Sequence, residues 1–222
     1  SLQRREVDYA GEAQADGRLW VCERATGETA TLPVPPPVEF MAVNVLKAVA
    51  IARRCGASWD ALRNALEKPR TANMRWAVEE VRGWTAVNDA YNANPVSMRS
   101  ALQAFAHRPA VGRKYLVLGA MLELGDHSRA AHEALARDVA AGNWAGVAVL
   151  AAESEKTRAA AGVLANALMA AGWPADKLCQ AARSADAAAW LRARLQRDDA
   201  LLLKASRGVG AERVLAELKK EA

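Results

Sequence analysis

Three short strings in this 222-residue chain gather side chains suited to holding a ligand. The first is Asn88-Asp89-Ala90-Tyr91-Asn92-Ala93-Asn94-Pro95-Val96-Ser97-Met98. The second is Val117-Leu118-Gly119-Ala120-Met121-Leu122-Glu123-Leu124-Gly125, with His132 downstream. The third is Leu203-Lys204-Ala205-Ser206-Arg207-Gly208, leading into Glu212-Arg213-Val214. A carboxylate such as Asp89 accepts several hydrogen bonds, an amide such as Asn92 or Asn94 both donates and accepts, and a guanidinium such as Arg207 offers fixed donors to oxyanions. The first string also reads as an ordinary strand-to-helix turn, since Asn and Asp tolerate tight turns and Ser97 can cap the following helix. Its density of amides, just after a predicted strand, favours a binding role.

The elements that must position these strings alternate. Predicted strands are Arg75–Glu80 and Trp84–Asp89, joined by Arg82-Gly83, then Lys114–Leu118, Gly146–Ala151 and Ala200–Lys204. Predicted helices are Ser97–Phe105, Ala130–Ala141, Glu155–Ala171, Ser184–Gln196 and Gly210–Lys220. That order predicts an α/β fold, a parallel-rich sheet with helices on both faces. Ligands of such sheets bind at the carboxyl ends of strands, which is where each string falls. Residues 1–34 read as short strands with turns, and 33–37 as a rigid proline-rich segment. A helix follows from Val38 to Arg54, stopped by Gly56, and Ser58 caps a second helix to about Glu67. Lys68-Pro69-Arg70 reads as a linker, dividing the chain into domains 1–69 and 70–222.

The net charge of +5 comes from interleaved acidic and basic residues, with no basic run set among aromatics. It fits a small phosphorylated ligand better than nucleic acid. Cys22, Cys55 and Cys179 lie far apart, so no zinc or disulfide framework is expected. No apolar stretch is long enough to span a bilayer and no signal peptide is visible, from which a cytoplasmic location is expected.

Asp-Ala-Tyr-Asn-Ala-Asn-Pro-x-Ser-Met followed by Ala101-Leu102 resembles a signature of the Mur ligase family, most nearly of its D-alanyl-D-alanine-adding branch. The second string looks like that branch's LGDMLELG…H stretch, and the third like its KGSRG…ERV stretch. The likeness is strong from residue 70 onward and weak before 35. It implies a Rossmann-like C-terminal ligase domain, preceded by part of a central ATP-binding domain.

The resemblance also implies roles. Asp89 corresponds to an Asp that holds the ATP ribose, Arg75 to an Arg that approaches the phosphates, and Asn44 to an Asn near the adenine. Asn92, Asn94, Leu122, Glu123, Ser206 and Arg207 correspond to residues beside the amino substrate. Arg207 with the Ser206 hydroxyl is suited to the free carboxylate of D-Ala-D-Ala. Lys204 is a further candidate, although a lysine closing a strand is usually solvated. His127 and His132 are read as helix-surface or capping residues, and no residue is assigned as a catalyst or metal ligand. Departures from the family pattern are Phe40-Met41 where His-Asn is usual, Ala120 for Asp, Ala205 for Gly and Asn88 for Asp.

The implied activity uses ATP and Mg²⁺ to join D-Ala-D-Ala to UDP-MurNAc-tripeptide through an acyl phosphate. No G-x-x-x-x-G-K-[ST] string occurs in the sequence, so the chain alone is expected to turn over no ATP and to depend on an N-terminal half of the same protein. Two alternatives stand beside this reading. One is a non-catalytic Rossmann-like binding module. The other is a sister enzyme such as folylpolyglutamate synthase or the diaminopimelate-adding Mur ligase.

Overall fold

The computed structural model describes residues 8–34, 38–67, 74–152 and 154–220, with only the backbone described at 38–40. The chain forms two compact units, Ser1–Arg70 and Thr71–Ala222. The proposed linker, 68–70, and most of the proline-rich segment lie outside the described residues.

In the first unit, β1 (Tyr9–Ala13), β2 (Arg18–Glu23) and β3 (Thr29–Pro33) form an antiparallel sheet. α1 (Val38–Arg54) and α2 (Trp59–Glu67) follow. Leu19, Val21, Ala30 and Leu32 face the α1 residues Ala42, Val45, Leu46 and Val49 in one apolar core. Gly56 takes φ +88 and its N–H reaches the Arg53 carbonyl, so it ends α1 as expected. Ser58 Oγ accepts the Ala61 N–H, capping α2 as expected.

The second unit holds β4 (Ala77–Val81), β5 (Trp84–Asn88), α3 (Pro95–His107), β6 (Lys114–Gly119), α4 (Ser128–Ala140), β7 (Gly146–Leu150), α5 (Glu155–Ala170), β8 (Leu178–Ala181), α6 (Ser184–Arg192), β9 (Ala200–Lys204) and α7 (Glu212–Lys219). The six strands run in the order β4-β5-β9-β6-β7-β8. β4 pairs antiparallel with β5, and every other pairing is parallel. Side chains along each strand alternate between faces. Tyr115, Val117, Leu201 and Leu203 meet α6 and α7 through Leu191 and Leu215. Leu116, Leu118, Val147 and Leu202 meet α3, α4 and α5 through Phe105, Leu135 and Leu164. The expected parallel-rich sheet with helices on both faces is therefore present. Because β5, β9 and β6 are parallel neighbours, their carboxyl ends, which open the three polar strings, lie side by side on one rim.

Several boundaries differ from expectation. Arg75 lies in a turn before β4, not within a strand. α3 starts at Pro95 with Asn94 as its cap, and Ser97 returns the bond from the third helical position. α6 stops at Arg192. The edge strand β8 has only four residues, none of them part of an apolar run, and no strand was expected there.

Candidate ligand site at the carboxyl rim of the sheet

The rim is assembled by polar atoms of the loops themselves. Ser206, which follows β9, is buried. Its Oγ accepts the Leu122 N–H at 3.0 Å and donates to the Ala93 carbonyl at 3.4 Å, while its own N–H bonds the Ala120 carbonyl. One residue thus ties the third string to the other two. Gly119 makes the close approach possible. A Cβ there would sit 2.6 Å from Val209 Cγ1 and 2.8 Å from Ala205 Cβ.

Lys204 ends the apolar run of β9 and is 3% exposed, not solvated as its position suggested. Its ammonium pairs with Asp89 Oδ2 at 2.7 Å and donates to the carbonyls of Asn92 at 2.8 Å and Asp89 at 3.2 Å. The other carboxylate oxygen of Asp89 accepts the Trp76 N–H at 3.1 Å. Asp89 is only partly buried, and each of its oxygens keeps a further lone pair for a ligand hydroxyl.

Arg75 is presented by a strained turn. Met74 and Trp76 on either side take φ +62 and +51, left-handed conformations that non-glycine residues rarely adopt. The turn is held by the Asp89 carboxylate on Trp76 and by the Tyr91 N–H on the Met74 carbonyl. The Arg75 guanidinium stacks over the Tyr91 ring at 4.3 Å, and that of Arg207 lies 5.4 Å from the same ring. Both arginines are exposed.

The remaining candidates line the same rim. Asn92 is exposed, with its Oδ1 on the Ala93 N–H. Asn94 uses its Oδ1 to cap α3, accepting from Ser97 N at 2.8 Å. Leu122 is half-buried and packs beneath Gly208, and Glu123 is exposed at φ +64. His127 is exposed and makes no side-chain capping bond. His132 is fully buried, neither on the helix surface nor a cap. Its Nδ1 lies 2.7 Å from the Ser128 carbonyl and so carries the proton, leaving Nε2 to accept the Met121 N–H at 3.0 Å. Burial pushes this imidazole below its usual pKa, which keeps Nε2 a free acceptor. Asn44 lies on α1 in the first unit and is exposed. The structure therefore brings Arg75, Asp89, Asn92, Asn94, Leu122, Glu123, Ser206 and Arg207 to one rim.

The connecting roles of Lys204, Tyr91 and His132 were not expected. A charged residue ending the run Leu201-Leu202-Leu203 was the visible signal for Lys204. Tyr91 and His132 belonged to the first and second strings, but nothing in residue type marked the partners they hold. Among the described residues no cluster of three His, Cys, Asp or Glu side chains forms a metal site, the cysteines are free, and no helix is long and apolar enough to cross a membrane.

Residues 74–207 match the family model described as Mur ligase, glutamate ligase domain. The chain belongs to the Mur ligase family. Among curated Mur ligases, the UDP-N-acetylmuramoyl-tripeptide–D-alanyl-D-alanine ligase of Mycobacterium bovis is 33% identical over 214 residues, 91% of this chain and 39% of that protein. The ligase of the same name from Synechocystis is 31% identical over 195 residues, 86% of this chain and 40% of the relative. The chain thus spans about two fifths of the length of these relatives. Among solved Mur ligases, MurF from Thermotoga maritima in complex with ADP superposes with a TM-score of 0.71 at 25% identity, over 96% of this chain and 46% of that one. MurF from Acinetobacter baumannii shares the fold, with a TM-score of 0.77 at 24% identity, over 98% of this chain and 46% of the neighbour.

Proposed function

We propose that this chain is the nucleotide-closing, amine-presenting part of an ATP-dependent amide ligase that joins D-alanyl-D-alanine to UDP-MurNAc-tripeptide. The observation that carries the reading is the convergence of three polar loops on one rim, held by Ser206 and Lys204. The activity that names the mycobacterial relative and the ADP bound to the Thermotoga enzyme support the choice of substrates. In this reading 1–69 is the end of a central ATP-binding domain and 70–222 is the C-terminal ligase domain.

Asp89 accepts ribose hydroxyls through its remaining lone pairs. Arg75 reaches the phosphates, and Asn44 lies near the adenine. Arg207 takes the carboxylate of D-Ala-D-Ala, and the exposed Asn92 and Glu123 face its amine end. Asn94, Leu122 and Ser206 shape that pocket mainly through their backbone positions, because the Ser206 hydroxyl is already engaged by two loops. ATP phosphorylates the tripeptide carboxylate. The amine then attacks the acyl carbon, the new amide C–N bond forms, and phosphate leaves with the C–O bond electrons. The rim contributes positioning and charge stabilisation rather than covalent chemistry. Mg²⁺ would neutralise the phosphates when bound, and among the described residues no cluster of acidic or imidazole side chains fits it.

The experiment is an assay of the complete polypeptide carrying this chain with ATP, UDP-MurNAc-tripeptide and D-Ala-D-Ala. Phosphate release that depends on the dipeptide, with UDP-MurNAc-pentapeptide detected by mass spectrometry, is the expected result. Dipeptide-independent release, or ligation of glutamate or diaminopimelate instead, would overturn it.

A further inference from the structure

The Arg75 and Arg207 guanidiniums stand on one aromatic ring, 4.3 and 5.4 Å from the Tyr91 centroid. Both side chains are exposed, and like charges gathered on one ring repel. Among the described residues neither is within ion-pair distance of a carboxylate. Asp89, the nearest acidic residue in sequence to Tyr91, is occupied by Lys204 and the Trp76 N–H. Glu123 on the second loop forms no ion pair with either arginine. What holds each cation there is the π-electron density of the shared ring.

The Tyr91 backbone is fixed: its N–H donates to the Met74 carbonyl, in the same strained turn that presents Arg75. Arg207 begins a short 3₁₀ turn immediately after Ser206, whose buried hydroxyl anchors it to the first and second loops. Two guanidiniums carried on fixed loops, sharing one ring and making no ion pair among the described residues, make a receptor for an anion with several oxygens.

We propose that Tyr91 is a positioning residue that joins Arg75 and Arg207 into one receptor for a phosphoryl oxyanion. This rests on the reading of Arg75 as a phosphate contact and adds a phosphoryl contact to the dipeptide carboxylate already given to Arg207, whose five N–H donors suffice for both. The two sides of the site, nucleotide and amine substrate, then share one anion subsite. A phosphoryl group engaged by Arg75 orders Arg207 through the ring, so occupancy on one side prepares the other.

The test is calorimetric titration of this chain with inorganic tripolyphosphate at low salt. Tyr91→Phe keeps the ring and should bind within about twofold of the parent, whereas Tyr91→Leu should bind about tenfold more weakly, two cation–π contacts being lost. Arg75→Gln and Arg207→Gln should each weaken binding, and the double variant should lose less than the product of the single losses. Unfolding midpoints of all variants establish that each is folded. Absence of binding by the parent, parent-like binding by a folded Tyr91→Leu, or independent effects of the two arginines would each overturn the proposal. Because the titration reads only anion binding, a receptor that behaves as described in a polypeptide forming no amide product would refute the proposed function and leave this inference standing.

Discussion

Replacing Lys204 by methionine should destabilise the second unit by several kcal/mol while leaving its volume nearly unchanged. The ammonium is 3% exposed and serves three acceptors, the Asp89 carboxylate at 2.7 Å and the carbonyls of Asn92 and Asp89. Breaking a buried pair by removing one partner costs about 3–5 kcal/mol, because the remaining charge is stranded. Asp89 is 20% exposed, so water can partly replace the lost cation. That places the expected cost near the lower end, about 3 kcal/mol. For a chain of this size about 3 kcal/mol corresponds to a fall in Tm of roughly 6–12 °C. Calorimetry of Lys204→Met, Asp89→Asn and the double variant would measure both the loss and the coupling. The two effects should be non-additive by more than about 1 kcal/mol, since the second substitution removes a charge that the first has already stranded. A Tm shift below about 2 °C for Lys204→Met, or strict additivity, would show that the lysine is solvated and that the first and third loops are not joined through it.

His132 makes stability depend on pH in a defined direction. Its folded pKa lies below the ordinary value of about 6.5, so its contribution is complete above that pH and is lost as pH falls towards the folded value. Urea midpoints measured at pH 7.5 and 5 should therefore fall further for the parent than for His132→Gln, and equal falls would contradict the assignment. Gly119→Ala should cost about 1–3 kcal/mol through overpacking against Ala205 and Val209, with urea denaturation as the check. A neutral substitution would mean that the second and third loops can separate freely.

The centre of the sheet was legible because β6, β7 and β9 are continuous apolar runs, as in Leu201-Leu202-Leu203 before Lys204, and the caps Gly56 and Ser58 were legible from residue type. What escaped was fixed by distant partners. Propensity gives no sign of the left-handed Met74 and Trp76, which are held by Asp89 and Tyr91. The apolar spacing Leu191–Leu195 suggests that α6 continues. Instead the buried Asp199 carboxylate takes the Gln196 and Arg113 N–H groups and turns the chain into β9. Asn94 and Ser97 are both good caps, and Pro95, preset for the first helical position, decides between them. At the site, residue types pointed to the correct loops but not to the hydrogen bonds joining them. Those bonds depend on the strand order β5-β9-β6, which no local pattern encodes.

The most direct test of the central claim is to titrate ADP into the ¹⁵N-labelled chain and map the amide shift changes. The account predicts changes concentrated at Trp76, Asp89–Asn94, Gly119–Glu123 and Ser206–Gly208, on a single rim. Changes concentrated at the opposite ends of the strands, around Gly112, Ala145 and Asp199, would contradict it.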